Sequence, residues 1–151
     1  MNVTTFLWFE DGAEAAADHY TAVFSDSDIL DTQRDADNHV TSVTFRLAGQ
    51  LFTAYNGGTA LPFTSAISLY VGCDAQDEID ALWEGLADGG TEGAGGSLTD
   101  RFGITWQILP VALQELLDPR DGRAAQRVLT ALHAMTKIDI RVLTDVRDGA
   151  S

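Results

Sequence analysis

Apolar and polar positions in this chain follow two rhythms, a period of two and a period of 3.6, and the order of rhythms occurs twice. Val3 to Phe9 is dense in β-branched and aromatic residues and predicts a strand. Ala13, Ala16, Ala17, Tyr20, Val23 and Phe24 then recur at helical spacing as one apolar stripe. Asp11, with Glu14 three residues on, reads as the N-cap of that helix in a capping box. Ser25-Asp26-Ser27-Asp28 ends it. Ile29 to Arg34 and Val40 to Leu47 predict strands around an acidic tip, Asp35-Ala36-Asp37-Asn38. A turn at Gly49 leads into Leu51 to Tyr55, where Phe52 and Ala54 point one way and Leu51, Thr53 and Tyr55 the other. Asn56-Gly57-Gly58 opens a loop to about Thr64.

The order then restarts. Ala66 to Gly72 predicts a strand, and Asp74, with Asp77 at the matching position, predicts the next helix cap. Ile79, Leu82, Trp83 and Leu86 form that helix's buried stripe, and Gly89-Gly90 stops it. A short strand near Thr91, turns at Gly93 to Gly96 and a hairpin at Gly103 complete the second copy. In its last strand Ile104, Trp106 and Ile108 alternate with Thr105, Gln107 and Leu109, and Pro110 closes it. The fold class is therefore α+β, with two tandem βαβββ units at about 1–58 and 64–110 in one domain of residues 1–110. One such unit cannot cover both faces of its sheet, which is the physical reason for a pair. From Val111 the pattern turns helical, at Val111 to Leu117 and Ala124 to Met135, followed by apolar Ile138, Ile140, Val142, Leu143 and Val146. This helical C-terminal tail, 111–151, needs a surface on its own domain or on a partner, and a homodimer is expected.

Composition narrows the setting. A chain of 151 residues that is 45% hydrophobic suits one soluble domain with a full-sized core. The formal net charge of −14 repels phosphate backbones and anionic lipid, so no nucleic-acid partner and no membrane partner is expected. The lone Cys73 can form no internal disulfide, and the N-terminus runs straight into a strand-like segment. A cytoplasmic protein is expected.

Several motifs resemble one family closely. Phe6-Leu7-Trp8-Phe9, Asn56-Gly57-Gly58, Ala66-Ile67-Ser68, Asp100 to Ile108 (DRFGITWQI), Ala125-Gln126-Arg127-Val128 and Met135 to Ile140 carry the likeness. The chain resembles the vicinal oxygen chelate superfamily of glyoxalase, bleomycin resistance and extradiol dioxygenase proteins. Within it the motifs look like the PhnB-like branch, often labelled 3-demethylubiquinone-9 3-methyltransferase. The resemblance implies that each unit curls into a half-barrel, forming a glyoxalase-like cup with helices outside, in dimers with a small-molecule cavity in each cup. It also implies that metal-dependent members hold their ion through a His, Glu, His, Glu pattern on the first and fourth strands.

Carried over by position, those four ligands fall at about Thr4, Thr53, Ala66 and Gln107. Hydroxyls, an amide and a methyl bind divalent ions poorly, so no metal and no cofactor is expected. His19, on the first helix, His39, at a hairpin tip, and His133, in the tail, stand apart from those positions, and Glu10 is one carboxylate at the rim. Strand parity sends Leu7, Phe9, Ile67, Leu69 and Val71 to the helix side, with Trp83 and Trp106 in the core. It leaves Phe6, Trp8, Leu51, Thr53, Tyr55, Ser68, Tyr70, Thr105 and Gln107, with Leu109, as the ligand-binding set. This aromatic, neutral lining suits a small, flat or apolar molecule.

Other chemistry is sparse. Cys73 reads as a small buried cysteine, and Asp100-Arg101 as a surface pair that orders the turn. Gly93, Gly95 and Gly96 do not follow a strand-turn-helix phosphate pattern, and no doubly wound cofactor fingerprint supports the methyltransferase label. Two other readings stay open: an enzyme of the same fold, of lyase, transferase or dioxygenase type, polarising its substrate through Tyr55, Gln107 or Thr53 or recruiting a metal through unrecognised ligands, and a dimeric interaction protein whose cup is filled.

Overall fold

The computed structural model describes residues 1–149, and the chain divides into two compact units, Met1–Phe63 and Thr64–Ser151. In the first, β1 (Thr5–Phe9), α1 (Ala13–Val23), β2 (Ser27–Arg34), β3 (Val40–Leu47) and β4 (Gln50–Asn56) follow in order. The strands lie β1-β4-β3-β2, with β1 parallel to β4 and the other pairs antiparallel. Leu7, Val43, Phe45, Phe52 and Ala54 form the buried face of this sheet. Ala13, Ala16 and Ala17 of α1 are fully buried too, and their short side chains let the helix axis approach the sheet. Ala48 and Gly49 both take positive φ, 46° and 85°, the conformation of a type I′ hairpin turn.

The N-terminus of α1 differs from expectation. Asp11 does not cap it; Gly12 stands at the N-cap, and the Ala13 N–H donates to Asn56 Oδ1 at 2.9 Å. Register explains the substitution: Asn56 pairs with Phe9 across β4 and β1, beside the helix start. Its Nδ2 donates to the Val40 carbonyl at 3.0 Å, which fixes the amide in place.

The second unit runs β5 (Leu69–Cys73), α2 (Gln76–Ala87), β6 (Thr91–Glu92), β7 (Ser97–Thr99) and β8 (Thr105–Pro110), with strand order β5-β8-β7-β6. Its first strand is shorter than predicted. Ala66 and Ile67 lie in a turn, Ser68 stands just before β5, and Ile67 is 74% exposed instead of packed on the helix. Leu69 pairs with Trp106 near the start of β8, so the residues before it have little ladder to join. Asp74 does not cap α2 either: Ala75 is the N-cap, and the Asp74 N–H donates to Glu78 at 2.8 Å. Leu98, Trp106 and Ile108 share a buried core with Ile79, Trp83 and Leu86 of α2.

The Gly103 hairpin is organised by a buried carboxylate. Asp100 is 3% exposed; its Oδ1 accepts the N–H groups of Phe102 (2.9 Å) and Ile104 (3.0 Å), and its Oδ2 accepts the Trp106 indole N–H (2.8 Å). Arg101 does not pair with Asp100. It reaches Asp88, at 2.7 Å to the carboxylate and 3.1 Å to the carbonyl. A short carboxylate at a turn can bond its own backbone two to four residues on, and here that local use excludes the arginine.

After β8 come α3 (Leu113–Leu116), α4 (Gly122–Ala134) and α5 (Ile140–Arg147). Leu116, Val128, Leu132, Ile138 and Leu143 form one buried cluster with Leu109 of β8. The extension is also pinned by hydrogen bonds. Gly95 and Gly96 donate to the carbonyls of Met135 and Thr136, and the Gln76 amide donates to Ile138 O and accepts from Ile140 N, both at 2.9 Å. Asp121 and Asp139 cap α4 and α5 through Ala124 N and Val142 N. Among the described residues no helix is long and apolar enough to cross a membrane.

Candidate functional site: the open faces of the two sheets

Alternation along β1 and β4 sends Phe6, Trp8, Leu51, Thr53 and Tyr55 to the face of the first sheet away from the core. The register sets Phe6 beside Thr53 and Trp8 beside Tyr55. Tyr55 is the centre of this patch: its ring lies 5.1 Å from Trp8 in an edge-on arrangement and 5.6 Å from Phe6. Phe6 is 58% exposed, so the patch is open rather than buried as core. Trp8 is held by the loop after β4. Its indole N–H donates to the Thr59 carbonyl at 2.8 Å, and a Cβ on Gly57 would land within the indole ring. The glycine is a seat for the tryptophan.

In the second unit the structure brings Ser68, Tyr70 and Gln107 together. The Gln107 amide donates to Ser68 Oγ at 2.8 Å, and Tyr70 pairs with Gln107 across β5 and β8. Thr105, two residues before Gln107, shares its face. Leu109 also has that parity, but it is buried under the C-terminal helices and is not an open lining residue. A tail packed over that end of the face is the physical cause.

Parity along β3 adds three residues that the sequence reasoning passed over. Ser42, Thr44 and Arg46 stand opposite Tyr55, Thr53 and Leu51, on the same open face. The signal was present, because buried Val43, Phe45 and Leu47 leave exactly these positions outward. Arg46 pairs with Asp28 of β2, which raises its pKa above the ordinary guanidinium value. The open face of the first sheet thus grades from aromatic at β1 to charged at β2.

The donor set does not fit a divalent cation. Thr53 and Gln107 lie on open faces, Thr4 precedes β1, and Ala66 sits in a turn, so these positions offer neutral oxygens, an amide and a methyl. Among the described residues, Asp35, Asp37 and His39 group closely at the β2–β3 tip. Asp35 there is committed to the turn: it accepts the Asp37 and His39 N–H groups, and the bond from His39 is foremost in lowering its pKa. The helix starts do not form phosphate sites either: the first N–H of α1 is taken by Asn56, and the first turn of α2 carries Asp77 and Glu78, which repel an anionic group.

Cys73 offers no nucleophile. It is buried at the end of β5; burial, and then the carboxylates of Glu78 and Asp74, push its thiol up to about 11.

A family model described as 3-demethylubiquinone-9 3-methyltransferase matches residues 1–109. The PhnB protein from Bacillus cereus is 34% identical, covering 72% of this chain and 99% of that one, with a TM-score of 0.67. Two more distant structures share the fold. One is a glyoxalase/bleomycin resistance protein from Albidiferax ferrireducens T118, 18% identical, covering 72% of this chain and 96% of that one, TM-score 0.50. The other is the fosfomycin resistance protein FosX from Listeria monocytogenes, complexed with Mn(II) and a sulfate ion, 15% identical, covering 72% and 89%, TM-score 0.54. No curated protein matches the chain.

Proposed function

This chain belongs to the 3-demethylubiquinone-9 3-methyltransferase family, and from that premise we propose that it binds a small, partly aromatic or apolar molecule without a metal. The observation that carries the reading is the open aromatic patch of Phe6, Trp8 and Tyr55, with Trp8 fixed by Gly57 and Thr59. Aromatic rings held in place present apolar surface at little entropic cost on binding. Thr53 and the Tyr55 hydroxyl supply the sparse polar contacts that orient a ligand. Ser68, Tyr70, Thr105 and Gln107 serve the same purpose in the second unit, where the amide and hydroxyl are already paired.

The reading is of a sequestering or sensing module, homodimeric and cytoplasmic. Exposed Leu30, Leu61 and Val142 support the homodimer, since apolar side chains of this size favour a partner surface. The buried single cysteine suits a reducing compartment.

A thermal-shift screen of neutral aromatic metabolites tests it. A ligand at a hundred times its Kd adds about 2.7 kcal/mol of stability by mass action. The stabilisation is expected to disappear in Trp8→Ala. A screen without hits, or hits indifferent to Trp8→Ala and Tyr55→Ala, contradicts the proposal.

A further inference from the structure

Beside β5 lies a cavity of about 420 Å³ lined by Tyr70, Gly72, Val111, Leu113, Gln114 and Leu117. We propose that this cavity is a second small-molecule site, built jointly by β5 and the C-terminal extension, for a neutral and largely apolar ring compound carrying one hydrogen-bonding group. It lies wholly within the second unit, where it shares Tyr70 with the lining proposed above, and it shares no residue with the Phe6–Trp8–Tyr55 patch.

Four of the lining residues come from the extension and lie beyond residue 109, where the family match ends. The Bacillus cereus PhnB protein is covered over 99% of its length by 72% of this chain, so the remainder of this chain has no counterpart there. Most of the lining therefore lies outside the stretch that the family model covers.

The wall supplied by the extension is preformed. Leu116 of α3 is buried in the cluster under the extension, while Leu113 and Leu117 pack partly against that cluster and partly face the cavity. Val111 N–H donates to the Cys73 carbonyl at 2.9 Å, which ties the start of the extension to the end of β5. On the strand side, glycine at position 72 keeps the space open. A Cβ there would stand 3.2 Å from a Val111 methyl and 3.9 Å from the Tyr70 ring. Tyr70 and Val111 remain 59% and 57% exposed, so apolar surface is left uncovered beside a closed core.

Charge selects the occupant. The lining contains no ionised side chain, Glu115 and Asp118 flank it in sequence, and the whole chain carries −14. No cation is present to receive an anionic group, and the surrounding field repels one. The Tyr70 hydroxyl and the Gln114 amide can each pair with one polar group, while Val111, Leu113 and Leu117 take the apolar remainder. The volume is within the range of small-molecule sites, roughly 300–1,000 Å³.

The test uses the full-length protein and N-phenyl-1-naphthylamine, a neutral dye that brightens in apolar surroundings. Saturable brightening is expected, weakened at least tenfold by Tyr70→Ala and by Val111→Asp, both at exposed positions that folding tolerates. Leucine and valine methyl spectra locate the dye independently: the signals of Val111, Leu113 and Leu117 should move with the same saturation. Binding that is lost in Trp8→Ala and unchanged in Tyr70→Ala and Val111→Asp would overturn this site while upholding the aromatic patch of the first unit. Absence of saturable brightening, or methyl signals that stay still, would also overturn it.

Discussion

The indole N–H of Trp106 donates to Oδ2 of Asp100 at 2.8 Å, and both side chains are almost completely withdrawn from solvent. With two backbone N–H groups on its other oxygen, this carboxylate closes the Gly103 hairpin and fixes the face of β8 that packs on α2. Its neighbour Arg101 contributes a half-exposed ion pair to Asp88.

The two residues should therefore separate cleanly in stability. Asp100→Ala leaves three donors without that acceptor and is expected to cost at least about 3 kcal/mol. Arg101→Ala should cost less than about 1 kcal/mol. Urea denaturation of both variants checks the contrast, and equal costs would contradict the assigned roles.

Gly57 should control Trp8. Gly57→Ala puts a methyl where the indole ring lies, so the ring must leave and its bond to the Thr59 carbonyl must break. The Trp8 indole N–H resonance is expected to shift toward that of a water-exposed indole, with those of Trp83 and Trp106 unchanged. An unmoved Trp8 signal would show that the loop does not hold the ring.

Much of this architecture was legible because short-range pattern and burial agree. The Val43, Phe45, Leu47 alternation, the Ala13 to Tyr20 stripe and the glycine turns at Gly49 and Gly103 each report a local geometry that packing then enforces. The failures share another physical origin. Asn56 displaces Asp11 as the partner of α1 because a residue distant in sequence arrives there through β-pairing. Ile67 follows strand parity in sequence, yet it sits in a turn ahead of the β5–β8 ladder. Leu109 has the parity of an open residue and is covered by helices that alternation in β8 says nothing about. Of the candidate site, the aromatic patch could be read from β1 and β4; the Thr59 carbonyl that holds Trp8, being backbone, has no side-chain signature.

Cys73 should make stability fall in alkaline solution. The fold pushes its thiol up to about 11, above the value of about 8.5 for an unfolded thiol. Its contribution is thus complete below about pH 8.5 and is lost as pH rises toward 11. Between pH 8 and 10.5 the protein is expected to lose roughly 2 kcal/mol more than Cys73→Ala does, by chemical denaturation at each pH. Parallel curves would mean that the thiol is not held protonated by the fold.

Gln76 should couple α2 to the extension. Its amide serves Ile138 O and Ile140 N at once, so Gln76→Ala leaves two backbone groups without a protein partner. A loss of roughly 1–3 kcal/mol is expected, with hydrogen exchange rising first in α5. Exchange that rises evenly along the chain would indicate global destabilisation instead.

The most direct test of the small-molecule reading observes the three indole N–H signals of the full-length protein while 2-naphthol is added. The account expects the Trp8 signal to move saturably, those of Trp83 and Trp106 to stay in place, and the movement to vanish in Tyr55→Ala. A Trp8 signal that does not respond, or a response undiminished in Tyr55→Ala, would contradict it.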